Sequence, residues 1–275
     1  MMVMFVQTPK TSTQEDRFQR AFDVGQGATL VVNNRKGIVH VSGSDSRQVL
    51  VSVYKRYDGP SKDKIAWLND TCIDFSTDSK HLKVEVIYPD PECKDDSCDD
   101  GRDLSGVELT IQVPRQINLE LTGRKPDIFV SSIEGDIKIE SRKSPILIES
   151  TTGAVRINTR KDKVRLKDVT ILGQLDLTIE KGTAEINVRR FGGETNLETT
   201  KGIITVRIPS NTGAVVDFAG GSRSIFRSDF SLQGSQTSGR AIREIRGIIN
   251  QGGTHMRLRT DKGTFFLCKP SSRMN

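Results

Sequence analysis

The sequence is poor in large rings. Aromatic residues make up 5% of its 275 positions, with a single Trp and three Tyr. That scarcity disfavours a platform for stacking nucleic-acid bases. Histidine is also scarce: His40, His81 and His255 are the full complement, and no two stand at metal-ligand spacing. No apolar run approaches the ~18 residues of a membrane span. Met1 to Val6 is apolar but too short for a signal-peptide core, and Gln7-Thr8-Pro9-Lys10 ends it, so the chain as written carries no export signal. No Gly-x-Ser-x-Gly elbow occurs, and Gly25-Gln26-Gly27 leads into a strand pattern rather than the helix a phosphate loop needs. Four cysteines (Cys72, Cys93, Cys98 and Cys268) permit disulfides without requiring them. Cys93 and Cys98 are close enough to form a small ring in an oxidising compartment. Cys72 and Cys268 fall in alternating strands, as small apolar residues would.

What the chain has in quantity is a glycine followed by an apolar–polar alternation. It appears as Lys36-Gly37-Ile38-Val39-His40-Val41, then as Glu134-Gly135-Asp136-Ile137-Lys138-Ile139 and Thr152-Gly153-Ala154-Val155-Arg156-Ile157. It returns at Lys181-Gly182, Lys201-Gly202 and Lys262-Gly263. Alternation with a period of two places one face of a strand inside and the other in solvent. Strand starts recur about every nine or ten residues, so two strands per coil give a coil of about twenty. Such a coil cannot bury its inner face alone; its neighbours must stack on it. The expected fold is therefore all-β: a β-solenoid with a less regular N-terminal β region. An antiparallel sandwich gives similar strand spacing, but the likeness of one unit to the next favours the solenoid.

Composition along the chain suggests four parts. Residues 1–17 read as a disordered lead-in, and 18–116 as an N-terminal β region interrupted by an acidic loop at 89–105. Residues 117–269 carry the regular repeats and their cap, and 270–275 form a tail. The only helical pattern lies between Ser61 and Asp70, with Ile65, Trp67 and Leu68 on one side. Phe230 to Gly247 reads as a polar, basic excursion, and the rings of Phe265 and Phe266 as a plug for the end of the stack.

The formal net charge is +6. From Gly220 to Asn275 bases outnumber acids ten to three, while from Glu85 to Asp103 acids outnumber bases eight to two. A basic run stands out: Arg156, Arg160, Lys161, Lys163, Arg165 and Lys167. Arg165 and Lys167 alternate with Val164 and Leu166, which turns both outward. The run is a candidate contact surface for an anionic envelope polymer. Asp162 and Asp168 dilute it, and outward charge also serves simply to keep strand edges apart. Nucleic acid is disfavoured because no aromatics are interleaved. Self-association is the other partner reading, since stacked repeats with weak caps can join end to end.

Three stretches together resemble a known family, the bacterial β-strand-repeat domains called putative adhesins. They are Leu30 to Gly43, Val113-Pro114 through the glycine-punctuated repeats to Ile208-Pro209, and Ser228-Asp229-Phe230 followed after a spacer by Gly252 to Gly263. The resemblance covers about residues 18–269. It implies a right-handed β-solenoid-like fold and a place in the cell envelope, and it brings no catalytic residues and no cofactor. The acidic Cys93–Cys98 loop departs from the family pattern.

The acidic residues offer two further readings. Asp95, Asp96, Asp99 and Asp100 could form an irregular calcium site, but Cys98 stands where the helix–loop–helix pattern needs an oxygen. Asp176 with Glu185 or Glu198 could act on a polysaccharide, yet no spacing fixes their geometry. The expected function is thus a non-enzymatic scaffold or adhesin-like contact protein of the cell envelope. A cytoplasmic self-assembling scaffold is the alternative, favoured by the missing export signal.

Overall fold

The structure is a computed structural model and describes residues 12–59, 62–78, 80–89, 106–238 and 242–270. Among these residues there are nineteen strands and one short helix. In chain order they are β1 (Ser12–Asp23), β2 (Thr29–Asn33), β3 (Lys36–Ser44), β4 (Gln48–Gly59), α1 (Lys62–Asn69), β5 (Cys72–Thr77) and β6 (His81–Ile87). Then follow β7 (Gly106–Pro114), β8 (Asn118–Thr122), β9 (Lys125–Ser131), β10 (Ile137–Lys143) and β11 (Ile146–Glu149). The chain continues through β12 (Thr152–Phe191), β13 (Thr195–Arg207), β14 (Ala214–Gly221) and β15 (Ile225–Ser228). It ends with β16 (Gln233–Ser238), β17 (Ile242–Ile249), β18 (Thr254–Thr260) and β19 (Thr264–Cys268). The protein is therefore all-β, and its strands form one hydrogen-bonded sheet curled around one hydrophobic core.

The alternation read from the sequence fills that core. Ile137 and Ile139 are buried while Lys138 and Glu140 face outward, and the same holds for Val164 and Leu166 against Arg165 and Lys167. Each fully buried Val, Ile or Leu contributes roughly 1.5–3 kcal/mol. In the middle of the sheet the pairing is parallel and strictly periodic. Ile137 pairs with Leu119 on one side and Val155 on the other, a step of 18 residues. Ile146 likewise lies between Ile128 and Val164. From β12 to β13 the step is 20, as in Leu175 with Thr195 and Ala184 with Ile204.

Each layer thus supplies a strand to a first face and, after a corner, a strand to a second face. The first face includes β6, β2, β8, β10, β12, β13, β18, β14 and β17 in spatial order. The second runs β1, β4, β7, β3, β9, β11, β12, β13, β19 and β15.

Spatial order departs from chain order at both ends. The layer of β2 and β3 lies between that of β6 and β7 and that of β8 and β9. The last layer of the chain, β18 and β19, is inserted between β13 and the pair β14 and β15. Phe265 and Phe266 consequently do not plug the end, because they belong to an interior layer. Phe265 is fully buried and meets Phe218 edge to face, while Phe218 stacks on Phe226 of the outermost second-face strand at 5.2 Å.

Other expectations shift in detail. Strand pairing begins at Ser12, within the segment read as a disordered lead-in, because β1 pairs antiparallel with β4 along its whole length. The polar excursion after Phe230 contains the antiparallel pair β16 and β17, recruited by β17 pairing on β14 from Ile249 to Ile242. Helix α1 falls within the expected segment; its Trp67 stacks on Tyr88 at 4.9 Å. Both Cys72 and Cys268 are free thiols; Cys72 is exposed rather than packed, because β5 pairs only with β6. Residues 90–105, with Cys93, Cys98 and the acidic cluster, lie outside the described residues.

Candidate functional site

The stack offers two corners and two faces, and they differ in chemistry. One corner precedes the first face and carries an open groove of about 730 Å³. Gln116, Asn118, Glu134, Asp136, Thr152 and Leu172 are among its lining residues, over a floor of glycines. Two of those glycines are there for closeness. A methyl on Gly135 would stand 2.1 Å from the carbonyl oxygen of Ile117, and one on Gly153 2.2 Å from that of Gly135. Two of the groove's polar side chains are committed to the backbone: Asn118 Oδ1 accepts from Asp136 N at 2.9 Å, and Asp136 Oδ1 from Ala154 N at 3.0 Å. They tie one layer to the next.

The basic run turns around the other corner. Arg156 sits on the first face, Arg160 and Lys161 at the corner, and Lys163, Arg165 and Lys167 on the second face. Five of the six meet a carboxylate from an adjacent layer. Arg156 lies 3.4 Å from Asp176, Arg160 2.8 Å from Glu180, and Lys167 2.5 Å from Glu149. Lys163 and Arg165 share Glu185 at 3.4 and 3.5 Å. The hydrogen bond from Arg160 holds the Glu180 carboxyl below its usual range. Most of the run is thus met by carboxylates across layers, although Lys138 and Arg156 lie opposite each other on the first face. Of the paired acids that the sequence offered, Asp176 and Glu185 each serve as such a counter-charge, and Asp176 also accepts from Asn196 at 2.8 Å.

At the corner itself lysines fall in register with one another. Lys36 is paired with Lys125, Lys143 with Lys161, and Lys181 with Lys201. Backbone bonds join these pairs into one column. Lys143 N donates to Arg124 O, and Lys262 N donates to Thr200 O. Between Lys161 and Lys181 the junction is fixed by their neighbours Arg160 and Glu180. Seven successive layers therefore place lysine at one position, and the preceding residue is Arg35, Arg124, Arg142 or Arg160 in four of them. Arg142, Arg160, Lys181, Lys201 and Lys262 are exposed and the others partly so. Two are steadied by rings: Lys36 Nζ lies 4.0 Å from the centre of Trp67 and the Arg35 guanidinium 5.0 Å from that of Tyr88. The signal was present in the sequence, since Lys precedes the corner glycine at Gly37, Gly182, Gly202 and Gly263. Only the 18- and 20-residue registers add Lys125, Lys143 and Lys161 to it.

No protein-family model matches the chain, and no curated protein matches it. Solved structures do. A putative cell adhesion protein from Clostridium sporogenes matches 94% of this chain and 100% of its own, at 14% identity and a TM-score of 0.37. A putative adhesin from Bacteroides fragilis matches 93% of this chain and 97% of its own, at 14% identity and a TM-score of 0.35. A putative lipid binding protein from Parabacteroides distasonis matches over 93% and 97%, at 10% identity and a TM-score of 0.28. The first two carry the adhesion names of the family that the sequence resembles. Among the described residues no helix is long and apolar enough to cross a membrane.

Proposed function

We propose that this protein is a non-enzymatic β-solenoid, wound right-handed in coils of about twenty residues, that works by surface contact in the cell envelope as an adhesin-like scaffold. The observation that supports it most is the parallel register. Steps of 18 and then 20 residues carry each outward side chain into a straight column along the stack. A surface periodic along one axis suits an extended partner better than a small molecule. The family resemblance implies the envelope location. The basic run from Arg156 to Lys167 contributes to the contact surface through its corner members, Arg160 and Lys161.

Incubation of the purified protein with a panel of acidic polysaccharides, followed by measurement of new reducing ends, tests the non-enzymatic part. No release above buffer is expected. Release that disappears when Asp176 and Glu185 are replaced by Asn and Gln would overturn it.

A further inference from the structure

We propose that this protein pairs with a second copy of itself through β1, the edge strand at the N-terminal end of the stack, in an antiparallel ladder centred on Phe18. This deepens the scaffold reading by naming a partner, and rests on it.

The first reason is an open end. Among the described residues β1 pairs with β4 alone, so the backbone groups along its other edge have no strand beside them. Phe18, Arg20 and Phe22 lie opposite the buried Val53, Val51 and Val49, which places them on the core side of the strand. The core is incompletely covered there. Phe18 and Phe22 are only partly buried, and both pack on Phe75 of β5, at 6.4 and 5.2 Å between ring centres. A strand added along this edge completes the cover.

The second reason is charge. Core-side charges on an edge strand blunt its pairing with an arbitrary strand. Strand β1 carries two, Asp16 and Arg20, one on either side of Phe18 at the same distance along the chain. A second copy running antiparallel, with Phe18 opposite Phe18, sets Asp16 of each chain opposite Arg20 of the other, within reach of a cross-strand ion pair. On the outer side it sets Arg17 opposite Gln19. Sliding the second copy by two residues in either direction puts Phe18 opposite a charge, Asp16 or Arg20. Sliding it by one turns its outer side chains inward. Asp16, although 3.7 Å from Lys55, keeps 58% of its side chain exposed, and the Arg20 guanidinium rests 4.9 Å from the centre of the Phe75 ring at the same end. A membrane would leave these core-side charges unanswered. The far end of the stack offers no equivalent, because β15 is only four residues long.

Sedimentation velocity on the full chain, across a concentration series, tests the pairing. A dimer is expected, weakening as salt rises. Asp16→Arg and Arg20→Asp each set like charges opposite one another at both positions, and each should weaken the dimer roughly tenfold or more. Mixed together, the two variants present opposite charges again and should form a heterodimer about as tight as the wild-type dimer. Circular dichroism verifies folding, and Asp16→Asn and Arg20→Gln provide milder versions if charge reversal unfolds the chain. A chain that stays monomeric at its highest soluble concentration, a dimer that neither single variant weakens, or variants that do not recombine on mixing overturn the proposal. So does a monomer that dimerises only once residues 1–11 are removed, which would put the chain's own N-terminus on this edge. Each of these outcomes leaves the non-enzymatic contact reading standing, because that reading is tested by polysaccharide cleavage and not by mass.

Discussion

Tyr88 shows how one residue holds a corner of this fold. Its hydroxyl lies 2.8 Å from Asn34 Oδ1 and 2.7 Å from Lys36 O, while Asn34 Nδ2 donates to Val107 O at 3.1 Å. The turn between β2 and β3, the end of β6 and the start of β7 are thereby joined through buried polar atoms that have no access to water. Tyr88→Phe removes the one hydroxyl proton within reach of both Asn34 Oδ1 and Lys36 O and should cost about 1–3 kcal/mol in urea melts at neutral pH. Burial also raises the Tyr88 phenol far above its ordinary value of 10.0. The native state therefore keeps a proton that the unfolded chain releases, and stability is lost as pH rises above about 10. The Phe variant lacks this loss, so the two stabilities should converge with increasing pH. A gap that stays constant from pH 7 to 11 would refute the assignment.

At the scale of an element, the strands are held by their inward side chains and not by the ion pairs on their outer faces. The pairs made by Arg165 and Lys163 with Glu185 are exposed and separated by more than 3 Å. Pairs of that kind contribute about 0–1 kcal/mol. Arg165→Ala should shift the urea midpoint by less than about 0.5 kcal/mol equivalent. Leu166→Ala, at the next position of β12 and fully buried, should cost about 2–5 kcal/mol. Similar losses in both would mean that the outer ladder is structural. Much of this was legible in the sequence. The alternation of Val164 and Leu166 with Lys163, Arg165 and Lys167 gives strand, face and burial without coordinates. Less legible were β16 and β17, whose polar residues carry no strong alternation. They become strands because β14 presents a free edge for β17 to pair with. The reversed place of Phe265 has a similar origin: nothing local says which layer a strand joins.

At the scale of the whole molecule, the insertion of β18 between β13 and β14 makes the last layer an interior one. Backbone amides of β18 are paired on both sides, unlike those of β15, which pairs with β19 alone. Amide hydrogen exchange should therefore be slower in Met256–Arg259 than in Ile225–Ser228, although β18 is nearer the end of the chain. Faster exchange in β18 would contradict the threading. The same holds at the other end, where β2 lies between β6 and β8. The corner column follows the same logic. Lysine before Gly37, Gly182, Gly202 and Gly263 is a local habit of the sequence, but these lysines come into one line only because the layers stack in register.

By itself, the sequence determined that the protein is built of strands, which side of each strand is buried, and where its corners fall. Those properties depend on residue type and on a period of two, both of which are local. The tertiary structure decided which strand lies against which, how β2, β3, β18 and β19 thread into the stack, and which charges meet across layers. These depend on pairings between residues up to 89 positions apart, as between Leu30 and Leu119, where backbone hydrogen bonds choose partners without regard to sequence distance.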